Sequence, residues 1–140
     1  MKYQLSAFYL LLPVLFSPNT WACSCAEPSS NPFAEATHIY IGILEHAAVR
    51  AYEHKDSPYQ AKLVVQQVIK GQQLPGLNLT TPANSSYCGV SLHTEQAYIV
   101  FVNADQNPQE LIDISACDPS GPLTEKHKQY IKTLQTTPWQ

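Results

Sequence analysis

"THIYIGILEHAAV", residues 37–49, is the stretch on which the fold class turns. It is dense in β-branched and aromatic residues, and Ile39, Ile41 and Ile43 recur at every second position. Side chains alternate across a strand, so this spacing aligns the three isoleucines on one face. A helix would scatter them around its circumference. The segment reads as a β-strand with one buried face.

Working outward, "YQAKLVVQQVI" (59–69) has the same character. The polar "RAYEHKDSP" (50–58) between the two ends on Ser-Pro and reads as a hairpin loop. Further on, "KGQQLPG" (70–76) is a turn, "LNLTT" (77–81) a short strand and "PANSS" (82–86) a loop. "YCGVSL" (87–92), "AYIVFVN" (97–103) and "ELIDISAC" (110–117) complete the β series, with "ADQNPQ" (104–109) connecting the last two. Beyond "DPSGP" (118–122) the period changes. Leu123, His127, Tyr130, Ile131 and Leu134 take helical spacing, the apolar stripe of an amphipathic helix. Six short strands and then a helix predict a mainly β domain, a small closed β-barrel carrying a C-terminal α-helix. No internal repeat, low-complexity tract or second domain is legible.

Residues 1–22 read as a signal peptide. Lys2 is its positive end, "LSAFYLLLPVLF" (5–16) its apolar core, and "SPNTWA" (17–22) its cleavage region, with Thr20 and Ala22 at the small-residue positions. The apolar run is shorter than the ~20 residues of a membrane span. A lipoprotein signal is the alternative, because Cys23 follows the cleavage point. Thr20 and Trp21 oppose it, since they stand where such signals carry an aliphatic and then a small residue. Cleavage after Ala22 leaves 118 of the 140 residues (23–140), enough for one ordinary domain, and makes Cys23 the free N-terminus. Losing Lys2 takes the formal charge from −3 to −4. The scattered Lys and Arg form no basic patch, which argues against a nucleic-acid partner. The expected location is secreted: extracellular, or periplasmic in a bacterium.

Four cysteines, Cys23, Cys25, Cys88 and Cys117, then meet oxidising conditions and read as two disulfides rather than thiols or metal ligands. A Cys23–Cys25 bond would close a very small strained ring. Two pairings remain, each tying one N-terminal cysteine to Cys88 and the other to Cys117.

The start "CSCAEP" (23–28), the block "SSYCGVSLH" (85–93) and "LIDISACDPSGPLTEKHKQYIKTL" (111–134) resemble, in order and spacing, the N-terminal netrin-like domain of the tissue inhibitors of metalloproteinases. The resemblance spans essentially residues 23–140. It implies an OB-fold-like barrel and the pairs Cys23–Cys88 and Cys25–Cys117. Two features depart from the family pattern. The cysteine of a third disulfide is replaced by Glu35 or a neighbour, and no second cysteine-rich domain follows.

The resemblance further implies an inhibitor of zinc metalloendopeptidases. A catalytic zinc keeps an open position for water. The neutral α-amine and the carbonyl oxygen of Cys23 would form a five-membered chelate there and displace that water. The amine sheds its proton readily near neutral pH, more so beside zinc. Disulfides at Cys23 and Cys25 would meet the ordering cost during folding. Ser24 would enter the specificity pocket, and Cys25, Ala26, Ser86, Tyr87 and Cys88 would complete the contact. The protein needs no cofactor or metal of its own on this reading, since the zinc is the partner's. The expected state is a monomer with no membrane span.

Two other classes compete. A netrin-like protein-binding module without inhibitory activity is the alternative, and it has no need of a free amine at Cys23. An enzyme is disfavoured: the sequence has neither a C-x-x-C redox pair nor an H-E-x-x-H zinc motif. His38, His46, His54, His93 and His127 are scattered and read as surface or strand-face residues. Asn78 and Asn84 begin glycosylation sequons, and Glu27, Glu53 and Asp56 read as solvated charges.

Overall fold

In the computed structural model, residues 23–27, 29–49, 58–82 and 88–136 are described. The first element among the described residues is a one-turn helix α1 (Pro32–Glu35), followed by the long antiparallel pair β1 (His38–Val49) and β2 (Tyr59–Lys70). The expected hairpin loop between them, residues 50–57, lies outside the described residues. The β1–β2 ladder slips between Ile39 and Tyr40, between Ile41 and Gly42, and between Leu44 and His46. Each slip adds a residue on one strand, bends it and tightens its twist. At Gly42 a Cβ would run into the Val64 carbonyl and stand 2.8 Å from Leu63 Cγ, so only glycine lets the strands approach so closely.

β3 (Gly76–Thr81) pairs antiparallel with β2, and β4 (Ala97–Val102) antiparallel with β1. β5 (Leu111–Asp113) adds in parallel to β3, and β6 (Gly121–Pro122) antiparallel to β4. The strand order is β5-β3-β2-β1-β4-β6, and the sheet curls into a half-barrel followed by helix α2 (Glu125–Thr136). The mainly β fold with a C-terminal helix is therefore as expected. Full closure is not made: among the described residues β5 and β6 are the two free edges. An OB barrel is commonly only partly closed.

Two apolar clusters hold the sheet. The first contains Tyr40, Leu44, Leu63, Leu79, Tyr98, Val100 and Ile112, drawn from strands right across the curl, and so fills its inside. The second contains Ile39, Ile99, Phe101 and Ile131 and lies on the opposite face beneath α2. β4 contributes alternately to both clusters, which is why its sequence is a continuous apolar run rather than an alternating one. Of the isoleucine stripe of β1, Ile39 is buried in the cluster beneath α2 and half-buried Ile41 packs against it, whereas Ile43 is exposed. The inside of the barrel takes Tyr40 and Leu44 instead. Each fully buried leucine contributes about 2 kcal/mol of transfer free energy.

Two expectations from the sequence are corrected. The stretch 88–92 is not a strand: Val90 N–H is taken by the Thr81 hydroxyl, and the Cys88 carbonyl by Ala116 N–H, so neither joins a ladder. The strand expected over 110–117 stops at Asp113, because Ser115 and Asp118 close a turn on each other. Ser115 N–H donates to the Asp118 carboxylate at 2.7 Å, and Asp118 N–H to the Ser115 carbonyl at 3.0 Å. The segment 118–122, which carries no strand pattern of its own, contains β6, paired to Tyr98 and Ile99.

Helix α1 went unread. Its signal is present in "NPFAE": Asn31 caps the Ala34 N–H through Oδ1 at 3.2 Å, and Pro32 occupies the first turn. Helix α2 begins where the stripe predicts. Thr124 caps it, its hydroxyl accepting from His127 N–H at 3.4 Å while His127 Nδ1 accepts from Thr124 N–H at 3.2 Å. This is a capping box with histidine in the usual place of glutamate.

Candidate functional site

The tripeptide Cys23-Ser24-Cys25 is gripped at both ends. Cys23 is bonded to Cys88 and Cys25 to Cys117, the pairing that the resemblance implied. The bonds span 65 and 92 residues. Removing that much freedom from the unfolded chain is worth about 4 kcal/mol for each bond in the chain-entropy account. Cys23 is half-buried, whereas Ser24, Cys25 and Ala26 are exposed. The middle residue therefore stands outward between two fixed neighbours.

The two anchoring loops are themselves joined. Ala116 N–H donates to the Cys88 carbonyl at 2.7 Å, one residue before Cys117. The result is a closed circuit: Cys23 to Cys88, across the hydrogen bond to Ala116 and Cys117, and back through Cys25 and Ser24. Cys23 Sγ and Cys117 Sγ touch at 3.5 Å, so the two disulfides lie side by side. The sulfurs of Cys23, Cys25 and Cys117 gather within 4.8 Å of one another, as a metal's ligands do. All three are committed to disulfides, which withdraws the thiolates that a metal would need.

Each loop is also tied to the sheet. Cys88 takes a left-handed backbone conformation, φ 63°, uncommon for a residue with a side chain and maintained only where the surroundings enforce it. Here the enforcement comes from the disulfide, the Ala116 hydrogen bond and, two residues on, Val90 N–H held by buried Thr81 Oγ1 at 2.9 Å. Tyr98, fully buried on β4, accepts from His93 N–H at 2.9 Å and reaches the Ser91 carbonyl at 3.2 Å. The second loop is set by the Ser115–Asp118 turn. Beside it, partial burial and then the Asp118 charge push the Asp113 carboxyl above the ordinary carboxylate range.

Of the residues expected at the site, the fold brings Cys23, Ser24, Cys25, Ala26 and Cys88 together, and Ser86 and Tyr87 lie outside the described residues. Sequence reasoning missed Thr81, Tyr98 and Ala116, whose roles depend on contacts between distant segments. Of the histidines, His93 donates its backbone N–H to Tyr98 within the loop that follows Cys88, and His54 lies outside the described residues. Chemically, the arrangement is a short, mostly exposed peptide whose ends are held by two disulfides. Among the described residues no helix is long and apolar enough to cross a membrane. A scan against protein-family models finds no match to this chain, and a search of curated proteins finds none either.

Proposed function

We propose that this protein is an exported inhibitor of zinc metalloendopeptidases, presenting the α-amine and carbonyl of Cys23 to the partner's catalytic zinc. The observation that carries the reading is the double grip on Cys23-Ser24-Cys25, with the exposed Ser24 between the two bonds. A peptide that enters a protease cleft must not cost much ordering entropy and must not lie along the cleft like a substrate. The circuit through Cys88 and Ala116 meets the first demand. The chelate meets the second, because it displaces the attacking water. Ser24 would then fill the specificity pocket, and Ala26 and Cys88 would flank it.

The test isolates the amine. Protein that begins at Cys23 is compared with protein carrying one additional alanine before it, against a panel of zinc endopeptidases. The disulfides and core are the same in both forms, so thermal stability should hardly differ. Inhibition by the extended form should fall by orders of magnitude, because an amide nitrogen has no lone pair to give and each ~1.4 kcal/mol is tenfold. Equal inhibition by the two forms rejects the chelate. No inhibition by either leaves a netrin-like binding module as the reading.

A further inference from the structure

Away from the disulfides, the segment leading into α1 and the first half of α2 enclose a cleft of about 720 Å³. Small-molecule sites commonly occupy roughly 300–1,000 Å³. Its floor is Phe101, 4% exposed, with Phe33 edge-on to it at 4.9 Å between ring centroids. Tyr130 lies against Phe33 at 4.3 Å, tilted by 32°, and remains 38% exposed. Its hydroxyl donates to Asn31 Oδ1 at 3.4 Å, which joins the α1 cap to α2 at one end of the cleft. One side is thus aromatic, grading from buried Phe101 through half-buried Phe33 to exposed Tyr130.

Among the described residues of the lining, Lys126 is the only formal charge and none is a carboxylate. His127 also lines the cleft; burial, and then the Lys126 charge, push its pKa down, so the ring is neutral at pH 7. With Nδ1 accepting from Thr124, the ring proton sits on Nε2, a donor. Aromatic faces together with an ammonium and an imidazole N–H complement a ring bearing an acid. Stacking adds to area burial for the ring, and the charge discriminates acids from their amides.

We propose that this cleft binds a small aromatic carboxylic acid, its ring against Phe33 and Tyr130 and its carboxylate at Lys126. The proposal is independent of the zinc-chelating reading of the N-terminus. The test titrates the ¹⁵N-labelled protein with 2-naphthoate and, separately, with its neutral counterpart 2-naphthamide, following backbone amide shifts. Saturable shifts confined to residues 29–33, 101 and 126–133 are expected for the acid, with the amide about fivefold weaker. Lys126→Gln, an exposed change, should weaken the acid by about the same factor and leave the amide unaffected. Tyr130→Leu should weaken both while the spectrum elsewhere stays native. Absence of saturation, shifts outside the cleft, or equal affinity for acid and amide would overturn the proposal.

Discussion

The amide of Ala116 donates to the carbonyl of Cys88 at 2.7 Å, joining the two loops to which the N-terminal cysteines are bonded. Without that hydrogen bond the disulfides would be two separate tethers, each free to move with its own loop. With it, Cys23 and Cys25 hang from one connected frame that continues into β3 through Thr81 and into β4 through Tyr98. The stiffness of Cys23-Ser24-Cys25 is therefore a property of the sheet and not of the tripeptide.

Thr81 is the first place to test that statement. Thr81→Val keeps the shape of a fully buried side chain but leaves Val90 N–H without its acceptor. An orphaned donor of this kind costs about 1–3 kcal/mol. Urea unfolding should show that loss, and amide exchange at Val90 should accelerate ahead of the core. Unchanged exchange at Val90 would mean that the hydroxyl does not hold this loop.

The two disulfides can be ranked. Loop closure over 92 residues differs from closure over 65 by only about 0.3 kcal/mol. Cys25→Ser/Cys117→Ser and Cys23→Ser/Cys88→Ser should therefore lose nearly equal stability, about 4 kcal/mol each by chain entropy. A gap of several kcal/mol between the double variants, measured by chemical denaturation, would show that local packing outweighs chain entropy.

The cap of α2 should respond to acid. Burial, and secondarily Lys126, place the His127 pKa in the folded protein below its ordinary value. Folding therefore favours the neutral ring, and this contribution is complete above the unfolded pKa near 6.5. It declines as pH falls below that value toward the folded pKa, because a protonated Nδ1 no longer accepts from Thr124. The cap sets a ceiling of about 1 kcal/mol on the loss. Glu125, whose carboxyl is lowered by its hydrogen bond to Lys128, belongs to a more acidic range. In stability measured between pH 7.5 and 5, His127→Gln should remove the slope from this site. An identical slope in the variant assigns it to other groups.

Ser24 tests the proposed interface from its tip. Ser24→Gly removes a contact and adds backbone freedom, so inhibition should weaken about three- to tenfold on every enzyme. Ser24→Leu should instead separate enzymes with deep pockets from those with shallow ones. Inhibition constants indifferent to both changes place Ser24 outside any contact.

Local pattern alone carried the strands β1 to β4 and the helix α2. Each depends on periodicity or composition within a dozen residues, and the alternation of Ile39, Ile41 and Ile43 is visible without knowing what covers it. Which side of the sheet those isoleucines would meet was not visible. Facing α2 or the barrel interior depends on the ladder slips around Gly42 and on where the chain returns. The same holds at the candidate site. C-x-C announced two bonds, and the netrin-like resemblance supplied a pairing that the spacing by itself left open between two choices. Tertiary structure made Cys88 left-handed, ended β5 at Asp113 and placed Ala116 on the Cys88 carbonyl. A hydrogen bond between residues 88 and 116 leaves no periodic trace in sequence, because it is decided by where β3, β4 and β5 put two loops in space. The His127 cap lies between these cases: its three-residue spacing from Thr124 is legible, but its neutrality comes from burial, which only the fold creates.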